Sequence, residues 1–368
     1  MATTKFETIG SLQTVMSNPD SKHNYFGWPT IARLKNGKLA VTASGFRLRH
    51  VCPFGKMVIS YSEDEGEHFT PPAPVIDTPL DDRDGGVMAF GKAGMVVTSF
   101  NNTVAFQRNL SYTCPYSHAY LDTVTQEDED KYIGSTFRIS LNNGDTFSEV
   151  LHSPITCPHG PIELSDGTLL YVGRKFSRNN SVQNDDCVMA YRLNTDGSME
   201  YLGSIENIAV GPDEKLLSCE PHAIELKDGR ILCHIRVQSS ICPPEKKRMF
   251  SIYQSISEDG GKTWEKPYPI LPRQGGSPPH LMRHSSGVLI CSYAVRVEPF
   301  TINVMFSYDE GKTWEEGQVL HTNGVSLDLG YPATVELKDG SLMTVFYAHK
   351  TAEEPATILA QKWRILPE

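Results

Sequence analysis

The chain has 368 residues, of which 39% are hydrophobic and 21% are charged, and its formal net charge at pH 7 is −10. The hydrophobic content is sufficient for a large buried core. The negative charge disfavours nucleic-acid binding, for which a basic surface is expected, but a local basic pocket could still bind a small anion.

The N-terminal segment lacks an apolar signal core, and no later run of residues is apolar enough to span a bilayer. We therefore expect a cytoplasmic protein without a membrane partner, or a secreted protein if a leader has been removed. The eight cysteines are interpreted as buried reduced thiols, although Cys219 and Cys233 flank one hairpin and could face each other. No histidine pairs with a carboxylate at ligand spacing, so neither a metal nor another cofactor is expected.

A lone strand over residues 6–15 precedes six copies of one hairpin pattern, in which two apolar strands flank a tight turn. The turn glycines are Gly37, Gly94, Gly167, Gly229, Gly287 and Gly340. They lie 53 to 73 residues apart, which is the kind of spacing that the blades of a propeller require. A polar insertion over residues 113–131 follows the second copy, in the same blade, and is interpreted as a solvated segment or a lid. A final strand over residues 357–366 ends the pattern.

A second repeat, Ser-x-Asp-x-Gly-x-x-aromatic, lies out of phase with the hairpins. It occurs at residues 62–69, 140–147 (with Asn for Asp), 257–264 and 307–314. We expect the Asp side chain to cap the amides of a tight turn and the Gly to take a positive φ, while the aromatic ring packs beneath the blade. Turn capping explains these aspartates, so they are not expected to be catalytic.

Four such turns between six hairpins resemble the Asp-boxes, or BNR repeats, of the sialidase (neuraminidase) superfamily. The resemblance extends over essentially the whole chain and implies an all-β, six-bladed β-propeller that forms a single domain over residues 1–368. A closed ring needs its first and last strands in one blade, so the N-terminal strand is expected to complete the last blade. The resemblance also implies a pocket on the axis, at the face where the innermost strands begin.

Two sets of side chains are expected at that face. The residues before each first strand are Trp28, Asp84, His159, Glu220, His280 and Tyr331. The arginines after the second strands are Arg47, Arg174, Arg236 and Arg296. Guanidinium groups around a central pocket predict a carboxylate-binding site, because arginine presents a planar, bidentate and permanently charged fork. The alternative is a set of salt bridges between blades.

The resemblance implies roles for individual residues. Glu220 and Arg236 match the glutamate and the arginine of the fourth family blade, and Tyr331 in Gly-Tyr-Pro matches the family tyrosine of the last blade. Arg296 is the best match to a third family arginine. Asp84 resembles the aspartate that contacts the ring hydroxyls of the sugar.

Two family residues have no direct match. Trp28 stands where the family has the first arginine of its carboxylate-binding triad, and the loop over residues 44–53 lacks the family's catalytic acid. The candidate replacements are Arg47, Arg49 and Arg174 for the arginine, and His50, His159 and His280 for the acid.

The predicted function is a divergent exo-sialidase-like glycoside hydrolase that releases a terminal acidic sugar, sialic acid or a related 2-keto acid, from an acidic oligosaccharide. The anomeric carbon of such a sugar carries a carboxylate that would repel an anionic nucleophile. A neutral phenol, whose proton is accepted by a nearby carboxylate, avoids this repulsion. Tyr331 with Glu220 as its base fits that requirement. Two alternatives stay open: a lyase or hydrolase acting on terminal uronic acids, and a non-catalytic propeller that binds acidic glycans. The sequence does not indicate the oligomeric state.

Overall fold

The structure is a computed structural model that describes residues 4–110, 114–176, 187–209, 213–322 and 324–367. Within these ranges the strands form six sheets, each of four or five strands. The strands within each sheet pair antiparallel, and the first strands of neighbouring sheets contact one another around a common axis. The predicted all-β, six-bladed propeller is confirmed.

The first three blades follow the chain after a leading strand, β1 (Phe6–Met16). Blade I contains β2 (Tyr25–Arg33), β3 (Leu39–Arg47), β4 (Lys56–Ser62) and β5 (Ala73–Ile76). Blade II contains β6 (Val87–Phe90), β7 (Gly94–Phe100), β8 (Ser135–Ser140) and β9 (Leu151–Ser153). Blade III contains β10 (Ile155–Thr156), β11 (Ile162–Glu163), β12 (Leu169–Lys175), β13 (Val188–Leu193) and β14 (Met199–Ile205).

The remaining three blades close the ring. Blade IV contains β15 (Lys215–Glu225), β16 (Ile231–Ile241), β17 (Phe250–Ser257) and β18 (Tyr268–Pro269). Blade V contains β19 (His280–Arg283), β20 (Leu289–Val295), β21 (Thr301–Ser307) and β22 (Gln318–His321). Blade VI contains β23 (Gly330–Glu336), β24 (Leu342–Ala348), β25 (Thr357–Ile365) and β1. The pairing of β1 with β25 confirms the predicted closure, because it covers a strand edge that would otherwise stay open.

Each neighbouring pair of blades shares its own apolar cluster. Between blades I and VI, for example, Val41 and Val58 pack in one cluster with Val345 and Tyr347, and all four side chains are fully buried. Corresponding clusters lie at the other five junctions between blades. The hydrophobic stabilisation is therefore distributed around the ring, and it holds the starts of the inner strands at fixed positions near the axis.

The Asp-boxes have the predicted turn structure. In the first copy Asp64 accepts the hydroxyl of Ser62 at 2.8 Å and the amide of His68 at 2.9 Å, and Gly66 has a φ of 79°. The equivalent amide bonds, 2.8 to 3.0 Å long, run from Thr146 to Asn142, from Thr263 to Asp259 and from Thr313 to Asp309. These side chains stabilise turns in the outer part of the blades.

The polar insertion of blade II is helical where the structure describes it, which the sequence analysis did not predict. α2 (Pro115–Leu121) and α3 (Gln126–Tyr132) form it, and α1 (Val104–Leu110) precedes it in the same blade, while residues 111–113 lie outside the described ranges. A capping box formed by Thr125 and Asp128 begins α3. No helix in the described part of the chain is long and apolar enough to cross a bilayer.

All eight cysteines lie in the described ranges, and they are reduced thiols. Cys219 and Cys233 do not face each other, because Cys219 lies opposite Arg236 in the β15–β16 pairing and Cys233 lies opposite Ala223. The interpretation of buried reduced thiols agrees with the structure at both positions, since each side chain is almost fully buried.

Candidate functional site

Four residues predicted to face the axis share an unusual backbone conformation. Trp28, Asp84, Glu220 and Tyr331 have φ values between 46° and 56°, a left-handed region that residues with bulky side chains rarely adopt. At Trp28, Glu220 and Tyr331 a register shift interrupts the pairing with the neighbouring strand. Such a bulge redirects a side chain, and strained backbone at matched positions of several blades is characteristic of functional sites.

The bulges also explain an error in the predicted strand boundaries. Glu220 is predicted from the sequence to precede the first strand of its blade, whereas β15 begins five residues earlier, at Lys215. Pro221, which follows Glu220, cannot donate to the ladder at the bulge, so the hairpin pattern marks only the regular part of the strand that follows it.

The redirected side chains open into a cavity of about 440 Å³, which we call the axial cavity. Eight of the twelve predicted site residues line it: Trp28, His50, Asp84, Arg174, Glu220, Arg236, Arg296 and Tyr331. Arg83, Lys175 and Arg248 also line it, so that the described wall contains six arginine or lysine side chains and two carboxyl groups. This local excess of positive charge contrasts with the net charge of −10 of the whole chain.

Tyr331 and Glu220 are in direct contact inside the axial cavity. The Tyr331 hydroxyl donates to Oε1 of Glu220 at 2.7 Å, while Nη1 of Arg236 donates to Oε2 of Glu220 and, at 3.2 Å, to the Tyr331 oxygen. Burial raises the pKa of Tyr331 well above its ordinary value, as do the carboxylates of Glu220 and Asp84, while Arg236 and Arg296 oppose the shift. The resting phenol is therefore neutral, and a base is already in position to accept its proton.

Two arginines flank this pair. The guanidinium groups of Arg236 and Arg296 lie 5.0 and 5.7 Å from the centroid of the Phe250 ring, and that of Arg296 also lies 5.4 Å from the ring of Tyr331. Nε of Arg296 donates to the carbonyl of Leu329 at 2.8 Å, which fixes the orientation of the fork. The predicted pairing of arginines with the tyrosine and the glutamate is thus present in one site.

Arg83, which the sequence analysis missed, lies next to the position of the missing family arginine. Its guanidinium is 4.4 Å from the centroid of the Trp28 ring, within cation–π distance. The predicted arginines follow the second strands, whereas Arg83 lies beside Asp84 in the segment that precedes the first strand of blade II. Its proximity in sequence to a predicted site residue is the signal that could have identified it.

The structure does not bring Arg47 or Arg49 to the axial cavity. The Arg47 side chain is fully buried, and its guanidinium forms an ion pair with Asp81 at 2.6 Å. Arg49 does not line the cavity, and it contacts the Cys114 side chain at the start of α2. Arg47 therefore has a structural role behind Trp28, since a buried charge needs a partner of opposite sign.

His159 and His280 lie deeper along the axis than predicted. With His222 they form a histidine cluster, whose ring centroids are 4.5 to 5.5 Å apart. This cluster lines a separate cavity of about 350 Å³ near the hairpin turns at the other end of the inner strands. His222 occupies the position in blade IV that His280 occupies in blade V, so the predicted alignment of His280 with Glu220 was shifted by two residues.

Asp84 has an unusual electrostatic environment. Its side chain is almost fully buried, and Oδ1 makes no hydrogen bond within the described part of the chain. Burial raises the pKa of Asp84 to about 7, and Glu220 acts in the same direction, while Arg83 and Arg236 oppose the shift. The carboxyl group is therefore protonated part of the time near neutral pH, so it can donate or accept a hydrogen bond.

His50 lies at the rim, where its ring packs edge-on against Trp28 with centroids 4.9 Å apart. About half of the side chain is exposed. Its Nδ1 is 3.0 Å from Oδ1 of Asp328, a carboxylate that the sequence analysis did not assign to the site. Asp328 is three residues before Tyr331, so the segment that carries the phenol also carries the partner of His50.

Comparisons with known proteins agree with this architecture. Residues 118–345 match the family described as a BNR repeat-like domain, and because the match spans more than half of the chain, the protein belongs to that family. It is a sialidase-like, six-bladed BNR propeller. No curated protein sequence matches the chain significantly.

Several solved structures have the same fold. A protein of unknown function from Dyadobacter fermentans aligns over 98% of this chain and 99% of its own, with a TM-score of 0.73 and 18% identity. The NanB sialidase of Streptococcus pneumoniae aligns over 96% of this chain and 70% of its own, with a TM-score of 0.65 and 12% identity. An α-L-arabinanase from Penicillium chrysogenum, solved with arabinobiose, aligns over 97% and 98%, with a TM-score of 0.62 and 14% identity.

Proposed function

We propose that the protein is a glycoside hydrolase that releases a terminal acidic sugar, sialic acid or a related 2-keto acid, from a glycan. The proposal is carried by the 2.7 Å hydrogen bond between the hydroxyl of Tyr331 and Glu220 inside a cavity lined with arginines. The sialidase and the arabinanase among the structural neighbours are consistent with glycan chemistry on this scaffold.

The substrate carboxylate would bind to Arg236 and Arg296. Both guanidinium groups border the Tyr331 side chain, and a carboxylate attached to the anomeric carbon lies one bond from the atom that Tyr331 attacks. Arginine forms short, bidentate hydrogen bonds to a carboxylate, so the two side chains would set both the position and the orientation of the sugar. Arg83 would add positive charge from the Trp28 side of the cavity.

The proposed reaction proceeds in two steps. In the first step the oxygen of Tyr331 bonds to the anomeric carbon and its proton passes to Glu220, while the glycosidic C–O bond breaks and the leaving oxygen receives a proton from an acid. In the second step water attacks the anomeric carbon and gives a proton back to that acid, and Tyr331 leaves and recovers its proton from Glu220. Arg236 donates to the tyrosine oxygen and stabilises the negative charge that develops there.

Asp84 would contact a hydroxyl of the sugar ring from the floor of the cavity. A carboxyl group with a pKa near 7 exists in both protonation states at neutral pH, and a hydroxyl group can donate to one form and accept from the other. Asp84→Asn is therefore expected to raise KM more than it lowers kcat.

Elimination at a terminal uronic acid is a second candidate, and His50 is the observation that favours it. Burial lowers the pKa of His50 below its ordinary value, so the imidazole is neutral near pH 7. A neutral imidazole at the rim could remove a proton α to a carboxylate bound by arginine. The product would be an unsaturated uronate with a characteristic ultraviolet absorbance.

The decisive experiment compares wild type with Tyr331→Phe on a fluorogenic sialoside, with Tyr171→Phe as a control that removes a buried phenol outside the axial cavity. We expect Tyr331→Phe to lower kcat by about 1,000-fold or more, because the nucleophile is lost, and Tyr171→Phe to retain activity. Ultraviolet-absorbing product from uronate-terminated glycans would support elimination instead. Glycan binding without turnover of either substrate would show a non-catalytic propeller.

A further inference from the structure

We propose that Asp328 is a positioning residue that holds His50 as the proton-transfer group of the axial cavity. This inference rests on the proposed hydrolase function and deepens it, because it assigns the acid that the first step requires. It concerns a carboxylate that lies outside the cavity wall and acts through the imidazole.

Asp328 is the centre of a hydrogen-bond network at the junction of blades I and VI. Its Oδ1 accepts from Nδ1 of His50 and from the hydroxyl of Tyr347, both at 3.0 Å. Its Oδ2 accepts from the hydroxyl of Tyr25 at 2.9 Å and from Nε2 of His349 at 3.1 Å. The carboxylate is thereby fixed in position and orientation by four donors, which is far more than a solvated surface aspartate would have.

This geometry determines which nitrogen of His50 can exchange protons. Burial works against ionisation of Asp328, but hydrogen bonds from His349, His50 and Tyr25 hold its pKa well below its usual range. An ionised carboxylate only accepts hydrogen bonds, so Nδ1 of His50 must carry a hydrogen. Nε2 is then the atom that gains and loses a proton, on a ring that forms part of the cavity wall.

His349 balances the charge of Asp328. Its Nδ1 contacts the carbonyl of Glu354 at 2.7 Å and its Nε2 contacts the Asp328 carboxylate. Both of these partners only accept hydrogen bonds, so both ring nitrogens of His349 are protonated and the ring is a cation. The hydrogen bond to Asp328 raises the pKa of His349 accordingly.

The remaining charged neighbours of His50 favour release of its proton. Burial and the cations of Arg83 and Arg47 lower the pKa of His50, whereas Asp328 raises it. The neutral hydroxyl of Tyr25 lies 3.2 Å from Nδ1. Protonated His50 is therefore a stronger acid than a solvent-exposed imidazolium, which suits proton donation to a leaving group.

The proton movements balance in each step of the proposed reaction. Because His50 is mostly neutral near pH 7, the reaction starts from the fraction of the protein in which His50 is protonated. In the first step Nε2–H of this imidazolium gives its proton to the glycosidic oxygen as the C–O bond breaks, while the proton of Tyr331 moves to Glu220. In the second step the lone pair on Nε2 takes a proton from the attacking water, and Glu220 returns its proton to Tyr331. His50 thus takes the place of the acid that the loop over residues 44–53 lacks.

Asp328 is also linked, through Tyr347, to the side of the cavity where the substrate carboxylate is proposed to bind. Tyr347, which donates to Asp328, accepts a hydrogen bond from Nη2 of Arg296 at 3.3 Å. Asp328 is therefore linked to the proton donor at the rim and to a guanidinium beside Tyr331. One fixed group orients both, so the acid and the substrate carboxylate keep a constant separation.

A direct test uses ¹⁵N-histidine labelling and NMR, with His50→Gln to identify the His50 signals among the 12 histidines. We expect the Nδ1–H tautomer at His50 and loss of this preference in Asp328→Asn. Asp328→Asn should lower the pKa of His50, whereas His349→Gln should raise it, because the second change removes a cation. An Nε2–H tautomer in the wild type, or shifts of the same sign in both variants, would overturn the proposal.

Leaving-group dependence supplies a readout that a purely structural role would not move. An aryl sialoside with an acidic leaving group needs little proton donation, whereas an alkyl sialoside needs full donation. His50→Gln and Asp328→Asn should lower kcat/KM by about 100-fold on the alkyl substrate and much less on the aryl substrate. Equal losses on both substrates would contradict the proposal, as would finding this dependence in Asp84→Asn instead.

Failure of the inference can be separated from failure of the proposed function. If wild type cleaves neither sialoside, the hydrolase proposal is wrong. The NMR measurement of the tautomer and pKa of His50 then still tests whether Asp328 positions this ring. If Tyr331→Phe abolishes cleavage of both substrates while His50→Gln affects them equally, the hydrolase stands and the inference is wrong. Thermal unfolding confirms that each variant is folded, and His349→Gln provides the test if Asp328→Asn does not fold.

Discussion

The two ends of the propeller axis differ in chemistry although the same inner strands form both. At one end Glu220 and Tyr331 lie at left-handed bulges and face a cavity rich in arginine. At the other end His222 and His280 lie in regular β pairing, and burial lowers the pKa of each imidazole, so they remain neutral. Glu220 and His222 are two residues apart, so position near the axis alone does not define a functional side chain. At Glu220 and Tyr331 the bulge makes the difference, because it changes the direction of the side chain at the point where the strand enters the cavity.

The end of the axis that contains the histidine cluster, which we call the neutral end, has a structural role that its hydrogen bonds reveal. Nδ1 of His222 accepts the amide of Leu281 at 2.8 Å, and Nδ1 of His280 accepts the amide of Thr334 at 3.3 Å. These bonds connect inner strands of neighbouring blades, which do not share a sheet. The histidine cluster therefore stabilises the ring, whereas the axial cavity contains side chains whose charges are available to a ligand.

The largest expected effect concerns the end of the axis with the axial cavity, which we call the charged end. Glu220→Gln should lower kcat by about 1,000-fold, because the amide cannot accept the Tyr331 proton and leaves Arg236 without its buried partner. Glu336→Gln is the matched control near the other end of the axis, where that side chain accepts the amide of Ser285. Steady-state kinetics on an acidic glycoside would check both, and equal losses would show that the charged end has no special role.

A smaller effect is expected for the carboxylate-binding arginine. Arg296→Lys keeps the positive charge but loses the planar fork, so KM should rise about 10-fold to 100-fold with a smaller change in kcat. Arg192→Lys, on the outer surface of blade III, removes a guanidinium from an exposed ion pair with Glu200 and should leave both constants unchanged. An unchanged KM for Arg296→Lys would place the substrate carboxylate elsewhere.

The smallest effect concerns stability at the neutral end. Burial lowers the pKa of His222 to about 3, so the unfolded chain binds a proton below about pH 6.5 that the folded chain does not bind. The stability contribution is complete above about pH 6.5 and is lost as the pH falls towards 3, at up to about 1.4 kcal/mol per pH unit for this one group. Denaturant unfolding at several pH values measures this effect. The free energy of unfolding should depend less steeply on pH in His222→Gln than in wild type, and kcat at neutral pH should be unchanged.

The repeats made the fold and the central pair of the site predictable. The turn glycines and Asp-boxes defined six blades, and equivalent positions in those blades brought Tyr331 and Glu220 to one place. His159 and His280 were misplaced because alignment by hairpin cannot detect a bulge that adds residues before the regular strand. Arg83 and Asp328 were missed because they lie in connecting segments, where side-chain direction depends on tertiary contacts that have no local sequence pattern.

The insertion of blade II shows a different limit. Its acidic run was interpreted as a solvated segment, yet the Thr125–Asp128 capping box begins a helix there. The box was readable from the sequence, but a short helix with no buried residues has no apolar periodicity to mark it. Composition alone therefore gave no secondary structure for a segment whose helix start signal was present.

The joining of β1 to β25 has a consequence for how the protein recognises molecules of different size. Phe6 pairs with Ile365 and Met16 pairs with Ile358, so antiparallel pairing closes the seam of the ring, with register shifts after Ile9 and after Thr14. The first and last strands cannot separate to widen the opening for a larger ligand without breaking these backbone hydrogen bonds. Discrimination between ligands of different size must then come from the loops and side chains around the opening, which can change without disturbing the strands of the ring.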